Sequence, residues 1–138
     1  MIIDQKYKIQ LITSRYSNPK FANNNLTEED NFTKYSNRCV DKIILKMQNK
    51  DSFYFFEHKT NGCAICVASS DIMIETINNK TKDEILNILQ KYNQLINMEI
   101  KYENIIGDLN VFNNVKTHLN RYDCANLIYL AVKERIEK

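Results

Sequence analysis

Apolar positions recur along this chain with two different periods, and the changes of period mark out its elements. Between residues 4 and 16, Tyr7, Leu11, Ile12 and Tyr16 return at helical spacing and the pattern stops before Asn18-Pro19, which predicts a first helix. Residues 21–30 carry turn formers, Asn23-Asn24-Asn25 among them, with little periodicity, and read as a loop. Residues 31–35 predict a short strand. Residues 41–48 alternate, Asn49-Lys50-Asp51 reads as a turn, and residues 52–57 are aromatic and strand-like, so the two runs predict a hairpin. The apolar stretch 64–77 is long enough for a buried helix. Thr81-Lys82-Asp83-Glu84 then sets a hydroxyl and a carboxylate three residues apart as a capping box, and Ile85, Leu89, Tyr92 and Ile96 continue as an amphipathic helix. A helical or irregular piece over 108–116 leads to a last helix from about Tyr122.

These elements predict an α+β fold: a small antiparallel β-sheet of about three strands with helices packed on it. No repeat and no linker divides the chain, so residues 1–138 are read as a single domain. A chain of 138 residues buries about two-thirds of the surface that it exposes when unfolded, so it needs no disulfide to fold.

Charge narrows the function classes. A net charge of +2 with 26% charged residues leaves no electrostatic footprint for nucleic acid or an anionic membrane surface. The run Phe53-Tyr54-Phe55-Phe56 lacks the basic stripe of a base-stacking platform and is read as sheet core. Asp4, Lys6 and Lys8 interrupt any signal-peptide core, and no apolar run reaches the roughly 18 residues that span a bilayer. A cytoplasmic location is expected, where thiols stay reduced.

That makes the cysteines the chemistry to explain. Alternation through the first hairpin strand puts Cys39 and Asp41 on one face with Ile43, Leu45 and Met47. Cys63 follows Gly62 at the start of the 64–77 helix, where the helix dipole favours a thiolate. Cys124 shares a helix face with Leu127, Ile128 and Ala131, at the edge of the core. The three cysteines can therefore converge, and thiolates with a carboxylate are ligands for zinc or an iron–sulfur cluster. The plain alternative is that free cysteines are simply buried. Cys63-Ala64-Ile65-Cys66 also matches a CxxC pattern; if Cys66 ligates, Cys39, Cys63, Cys66 and Cys124 make a four-thiolate zinc site with Asp41 a bystander, and otherwise Cys66 is a small apolar helix residue. His58 and His118 are read as surface residues.

The run Cys63-Ala64-Ile65-Cys66-Val67-Ala68-Ser69-Ser70-Asp71-Ile72-Met73-Ile74-Glu75 resembles the Gly-Cys…Ala-Ser…Met…Glu signature of NifU-like iron–sulfur scaffold proteins. Tyr16-Ser17-Asn18-Pro19 resembles the Tyr-x-Asn-Pro that ends that family's first helix. Cys39-Val40-Asp41 resembles its Cys-Gly-Asp, and Arg121-Tyr122-Asp123-Cys124 its Arg-x-x-Cys, so nearly the whole chain is covered in order. The stretch between Cys63 and Cys124, with its helix over 81–97, is similar to the insertion of the SufU branch that the IscU branch lacks. Two positions depart from the pattern. Val40 stands in place of the glycine, and Asp123 stands where SufU-type members have lysine and IscU-type members histidine. Asp123 is read as a solvated acid at the helix start, with a raised neighbouring thiol pKa or a ligand role as the alternatives.

The resemblance implies Cys39, Asp41, Cys63 and Cys124 as metal ligands and Arg121 as a partner-facing or site-adjacent base. It implies a zinc-dependent acceptor of persulfide sulfur, on Cys39, from a SufS-like, pyridoxal-phosphate-dependent cysteine desulfurase, followed by downstream iron–sulfur assembly proteins. On that reading the protein is a sulfurtransferase. Two alternatives stay open: a non-enzymatic IscU-type scaffold that assembles a [2Fe–2S] cluster or holds iron, and a non-catalytic interaction module with a structural zinc.

Overall fold

The computed structural model describes residues 4–36 and 40–138, so Cys39 lies outside the described residues. Three strands, β1 (Phe32–Tyr35), β2 (Lys42–Lys50) and β3 (Phe53–Asn61), form an antiparallel sheet in the order β1-β2-β3. Four α-helices accompany it among the described residues: α1 (Gln5–Ser17), α2 (Ala64–Ile77), α3 (Lys82–Ile96) and α4 (Leu119–Glu137). The architecture is the expected α+β arrangement.

The β2–β3 hairpin turns on Asp51 and Ser52, both at positive φ (53° and 75°), the backbone that suits the twist of a two-residue hairpin. Register runs from Lys50 opposite Phe53 to Lys42 opposite Asn61. β3 therefore extends four residues past Glu57, where the predicted strand ended. Of these residues only Thr60 has a strand-favouring side chain, and the segment is held by main-chain pairing to β2, which side-chain pattern does not report. β2, paired on both sides, buries Ile43, Ile44 and Leu45.

Helix α2 is buried on nearly every side because α1, β3 and α4 all pack on it. Its two interior serines are satisfied locally: the Ser69 and Ser70 hydroxyls donate to the Cys66 carbonyl at 3.2 and 2.8 Å. Helix α3 opens on the predicted capping box, with the Glu84 N–H donating to Thr81 Oγ1 (3.3 Å) and the Thr81 N–H to Glu84 Oε1 (3.0 Å). It buries Ile85, Ile88, Leu89, Tyr92, Leu95 and Ile96. Between α3 and α4 runs a 3-10 stretch, Asn104–Phe112, kinked at Gly107 (φ 52°), and then a single turn, Val115–Thr117. Helix α4 begins at Leu119, three residues before the predicted start, with the exposed His118 as its N-cap.

Three expectations need correction. His58 is 1% exposed, because Asp71 lies behind β3 to receive it. The aromatic run is only partly core: Phe56 is fully buried, Tyr54 stacks on it at 6.5 Å, and Phe53 at the hairpin tip is exposed. Asp123 is half-buried in the second turn of α4 rather than solvated at its start, because the helix starts earlier.

Asp71 is the centre of a buried polar network. Its Oδ2 accepts from Arg15 Nη1 (2.7 Å) and the Lys20 N–H (2.8 Å), and its Oδ1 from the Phe21 N–H (2.8 Å) and His58 Nε2 (3.0 Å). Arg15 also pairs with Glu75 one turn along α2. A carboxylate only accepts, so His58 carries its proton on Nε2, while Nδ1 meets Thr60 Oγ1 at 2.7 Å. Burial alone would push the Asp71 carboxyl up; the hydrogen bonds from His58, from the Lys20 and Phe21 amides and from Arg15 outweigh it and hold the group at about 2. The network ties the end of α1 and the loop after it to α2 and β3, the two elements whose junction presents Cys63.

Candidate metal centre

Three of the residues singled out in the sequence lie together where β2, α2 and α4 begin. Asp41 precedes β2 and is 4% exposed; Cys63 is the N-cap of α2 and is exposed; Cys124, in the second turn of α4, is 3% exposed. Their ligand atoms all lie within 4.8 Å of one another. The Cys63 thiol donates to Cys124 Sγ at 3.0 Å, and the Cys124 thiol donates to Asp41 Oδ2 at 2.8 Å.

Gly62 makes this approach possible. A Cβ at that position would lie 2.5 Å from Asp41 Oδ1 and 2.7 Å from its Cγ, so any larger residue would drive the carboxyl out of the cluster. The strand-to-helix corner thus does two things at once: it caps α2 with Cys63 and makes room for the acid.

The electrostatics suit a cation. The Cys124 thiol is pushed well up from its ordinary value, first by burial, then by its contacts with Asp41 and Cys63, so the bare Cys124 thiol keeps its proton. A metal ion reverses that balance by stabilising thiolate and carboxylate together. Two sulfurs and one carboxylate oxygen are a donor set that zinc and iron both accept, and the residues present fit such a group. A closed zinc site takes four ligands, one more than the three gathered here.

The other sequence candidates fall outside this trio. Cys66 is fully buried in the core with Ile72, Met73 and Leu127 and is not among the three residues drawn together; a residue three positions into α2 points inward, away from the corner where Cys63 sits. His58 belongs to the Asp71 network and His118 is the exposed N-cap of α4. Arg121 is exposed, one turn before Cys124. Sequence reasoning missed the Arg15–Asp71–His58–Glu75 network altogether. Two carboxylates four residues apart on an otherwise apolar helix, Asp71 and Glu75, were the signal available for it.

Among the described residues no helix is long and apolar enough to cross a membrane. The NifU-like N-terminal domain family model matches residues 6–137. An uncharacterized protein of Borreliella burgdorferi is 33% identical over 106 residues, covering 75% of this chain and 72% of that protein. A protein of Streptococcus pyogenes named as the iron–sulfur cluster assembly scaffold IscU is 26% identical over 102 residues, 72% of this chain and 64% of its own length. Two solved structures share the fold. A SufU from Fervidobacterium islandicum, described as a candidate iron–sulfur cluster assembly scaffold for the SUF system, has TM-score 0.78 and 24% identity, covering 91% of this chain and 93% of its own. The N-terminal part of a NifU-like protein from Brucella abortus has TM-score 0.78 and 20% identity, covering 93% and 90%. With a family model spanning almost its whole length and the Asp41, Cys63 and Cys124 side chains drawn together, this chain belongs to the NifU-like N-terminal domain family of iron–sulfur cluster assembly scaffolds.

Proposed function

We propose that this chain is a SufU-like, zinc-dependent acceptor of persulfide sulfur, with Cys39, Asp41, Cys63 and Cys124 as the metal ligands and a pyridoxal-phosphate-dependent cysteine desulfurase as the donor. The observation that carries the reading is the convergence of Asp41, Cys63 and Cys124 within 4.8 Å, one sulfur exposed and the other two ligands buried. The helix α3 between Cys63 and Cys124 supports the SufU branch over the IscU branch.

Zinc would hold the thiolates deprotonated and protected at neutral pH. Transfer itself is thiol–disulfide exchange. The Cys39 thiolate attacks the terminal sulfur of the partner's Cys–S–SH; a new S–S bond forms, the partner's S–S bond breaks, and its electron pair leaves on the partner thiolate. No net oxidation occurs. Asp41 is the hard ligand among soft ones, and Gly62 keeps its carboxyl in place. Arg121, exposed one turn from Cys124, is placed to meet the partner.

The relation to the streptococcal scaffold favours a second reading, in which the same residues assemble a [2Fe–2S] cluster as cargo. Elemental analysis and an ultraviolet–visible spectrum of protein purified without oxygen, wild type and Asp41→Ala, separate the two. About one zinc per chain without visible absorption, diminished in Asp41→Ala, together with increased desulfurase turnover on adding the protein, is the expected result. Iron with matching acid-labile sulfide would overturn it for the scaffold, and no metal with no stimulation would leave an interaction module.

A further inference from the structure

Beside the thiols lies a cleft of about 330 Å³, the small end of ligand-pocket sizes, bounded by α1, the first turn of α2, the 111–115 segment and the start of α4. Ile65, on its wall, is two residues from Cys63, and Arg121, on its rim, is one helical turn from Cys124. The walls mix apolar side chains, Ile12, Ile65 and Phe112 among them, with the polar Gln5, Thr13 and Asn114, and Ile9 at the mouth is 57% exposed.

Two cations, Lys8 and Arg121, line this space, and among the described residues no carboxylate does. Lys8 is the more informative. It is only 9% exposed, and its ammonium donates to a neutral partner, Asn113 Oδ1, at 2.6 Å. Among the described residues no carboxylate lies within ion-pair distance of it. Burial lowers its pKa. Withdrawing an ammonium from water without an anion costs stability, so it is a feature that a bound anion would repay. Arg121 adds a planar fork of donors suited to a carboxylate.

We propose that this cleft docks an acidic–apolar segment of the sulfur-donating partner, an apolar side chain entering between Ile12, Ile65 and Phe112 and a carboxylate reaching Lys8 and Arg121. The proposal rests on the sulfur-acceptor reading and deepens it. Charge complementarity selects the occupant: a partly apolar groove closed by two cations rejects a basic or purely apolar segment and accepts one that carries an acid beside a hydrophobe. The position of the cleft brings that segment within a helical turn of both Cys63 and Cys124, so docking and sulfur transfer share one face.

The test is titration calorimetry of the 138-residue, zinc-loaded chain with a cysteine desulfurase from the same organism, at two salt concentrations. Variants are Lys8→Met, which keeps the aliphatic stem, Ile9→Ser at the mouth, and Lys50→Met at the distant hairpin tip as control. Lys8→Met and Ile9→Ser should each weaken binding about tenfold or more, and Lys8→Met should flatten the salt dependence, with zinc content and melting temperature retained. Lys50→Met should bind like wild type. Wild-type binding that both cleft variants retain within about twofold would overturn the docking proposal and leave the acceptor reading standing. Absence of wild-type binding would overturn both. A dimer in sedimentation that Lys8→Met abolishes, with desulfurase binding untouched, would place a second copy in the cleft and overturn the proposal.

Discussion

Replacing Asp71 by asparagine tests how much of this fold hangs on one buried carboxylate. The side chain is fully buried and accepts four hydrogen bonds, from Arg15, His58 and the amides of Lys20 and Phe21. Its pKa falls from 3.8 to about 2, and at 1.36 kcal/mol per unit this corresponds to roughly 2 kcal/mol of charge-dependent stability. The native pKa is the lower one, so this contribution is complete above the unfolded value near pH 4 and is lost as pH falls through about 2. Asparagine keeps the shape but turns one acceptor into a donor facing other donors, and it leaves Arg15 with Glu75 alone. A destabilisation of about 2–4 kcal/mol at pH 7 is expected. Urea unfolding of both proteins from pH 7 to pH 3 measures it, with equal m-values required for the comparison. The gap should hold steady down to about pH 5 and then narrow by roughly 1 kcal/mol by pH 3. A gap under about 0.5 kcal/mol at pH 7, or one that is flat to pH 3, would refute the reasoning.

Two further substitutions probe the centre and its support. Gly62→Ala sets a methyl 2.5 Å from Asp41 Oδ1, so zinc affinity in a chelator competition should fall about tenfold or more while the metal-free melting temperature changes little; unchanged affinity would mean that Asp41 is not held by this approach. Tyr92→Phe removes the hydroxyl that donates to the Ala125 carbonyl at 2.8 Å and joins α3 to α4 beside Cys124, and should cost about 1 kcal/mol in urea, with no effect of this size if the bond contributes nothing.

Local chemistry is what the sequence by itself determined. The Thr81–Glu84 capping box, the stop at Asn18-Pro19 and the apolar run of α2 are decided by neighbours within a few residues, and each element formed where its pattern placed it. The hairpin's two strands formed from the predicted runs as well, but with the turn on Asp51 and Ser52 and with β3 continuing past its predicted end. Asp41, Cys63 and Cys124 were legible as candidates because each belongs to a residue type with metal chemistry and a definite place at the start of a strand or helix.

What needed the tertiary structure were interactions across elements far apart in the chain. His58 reads as polar and therefore solvated until α2 brings Asp71 behind it; its burial is decided 13 residues away. The last four residues of β3 are strand because β2 supplies main-chain partners; of their side chains only that of Thr60 favours it. Cys66 and Cys63 share a motif on paper, yet their positions on one helix send one sulfur into the core and leave the other at its mouth. The need for glycine at position 62 has the same origin: only the approach of Asp41, from the residue before β2, removes the space that a side chain would occupy. Sequence reports preferences of short segments, whereas burial and pairing are properties of the packed whole.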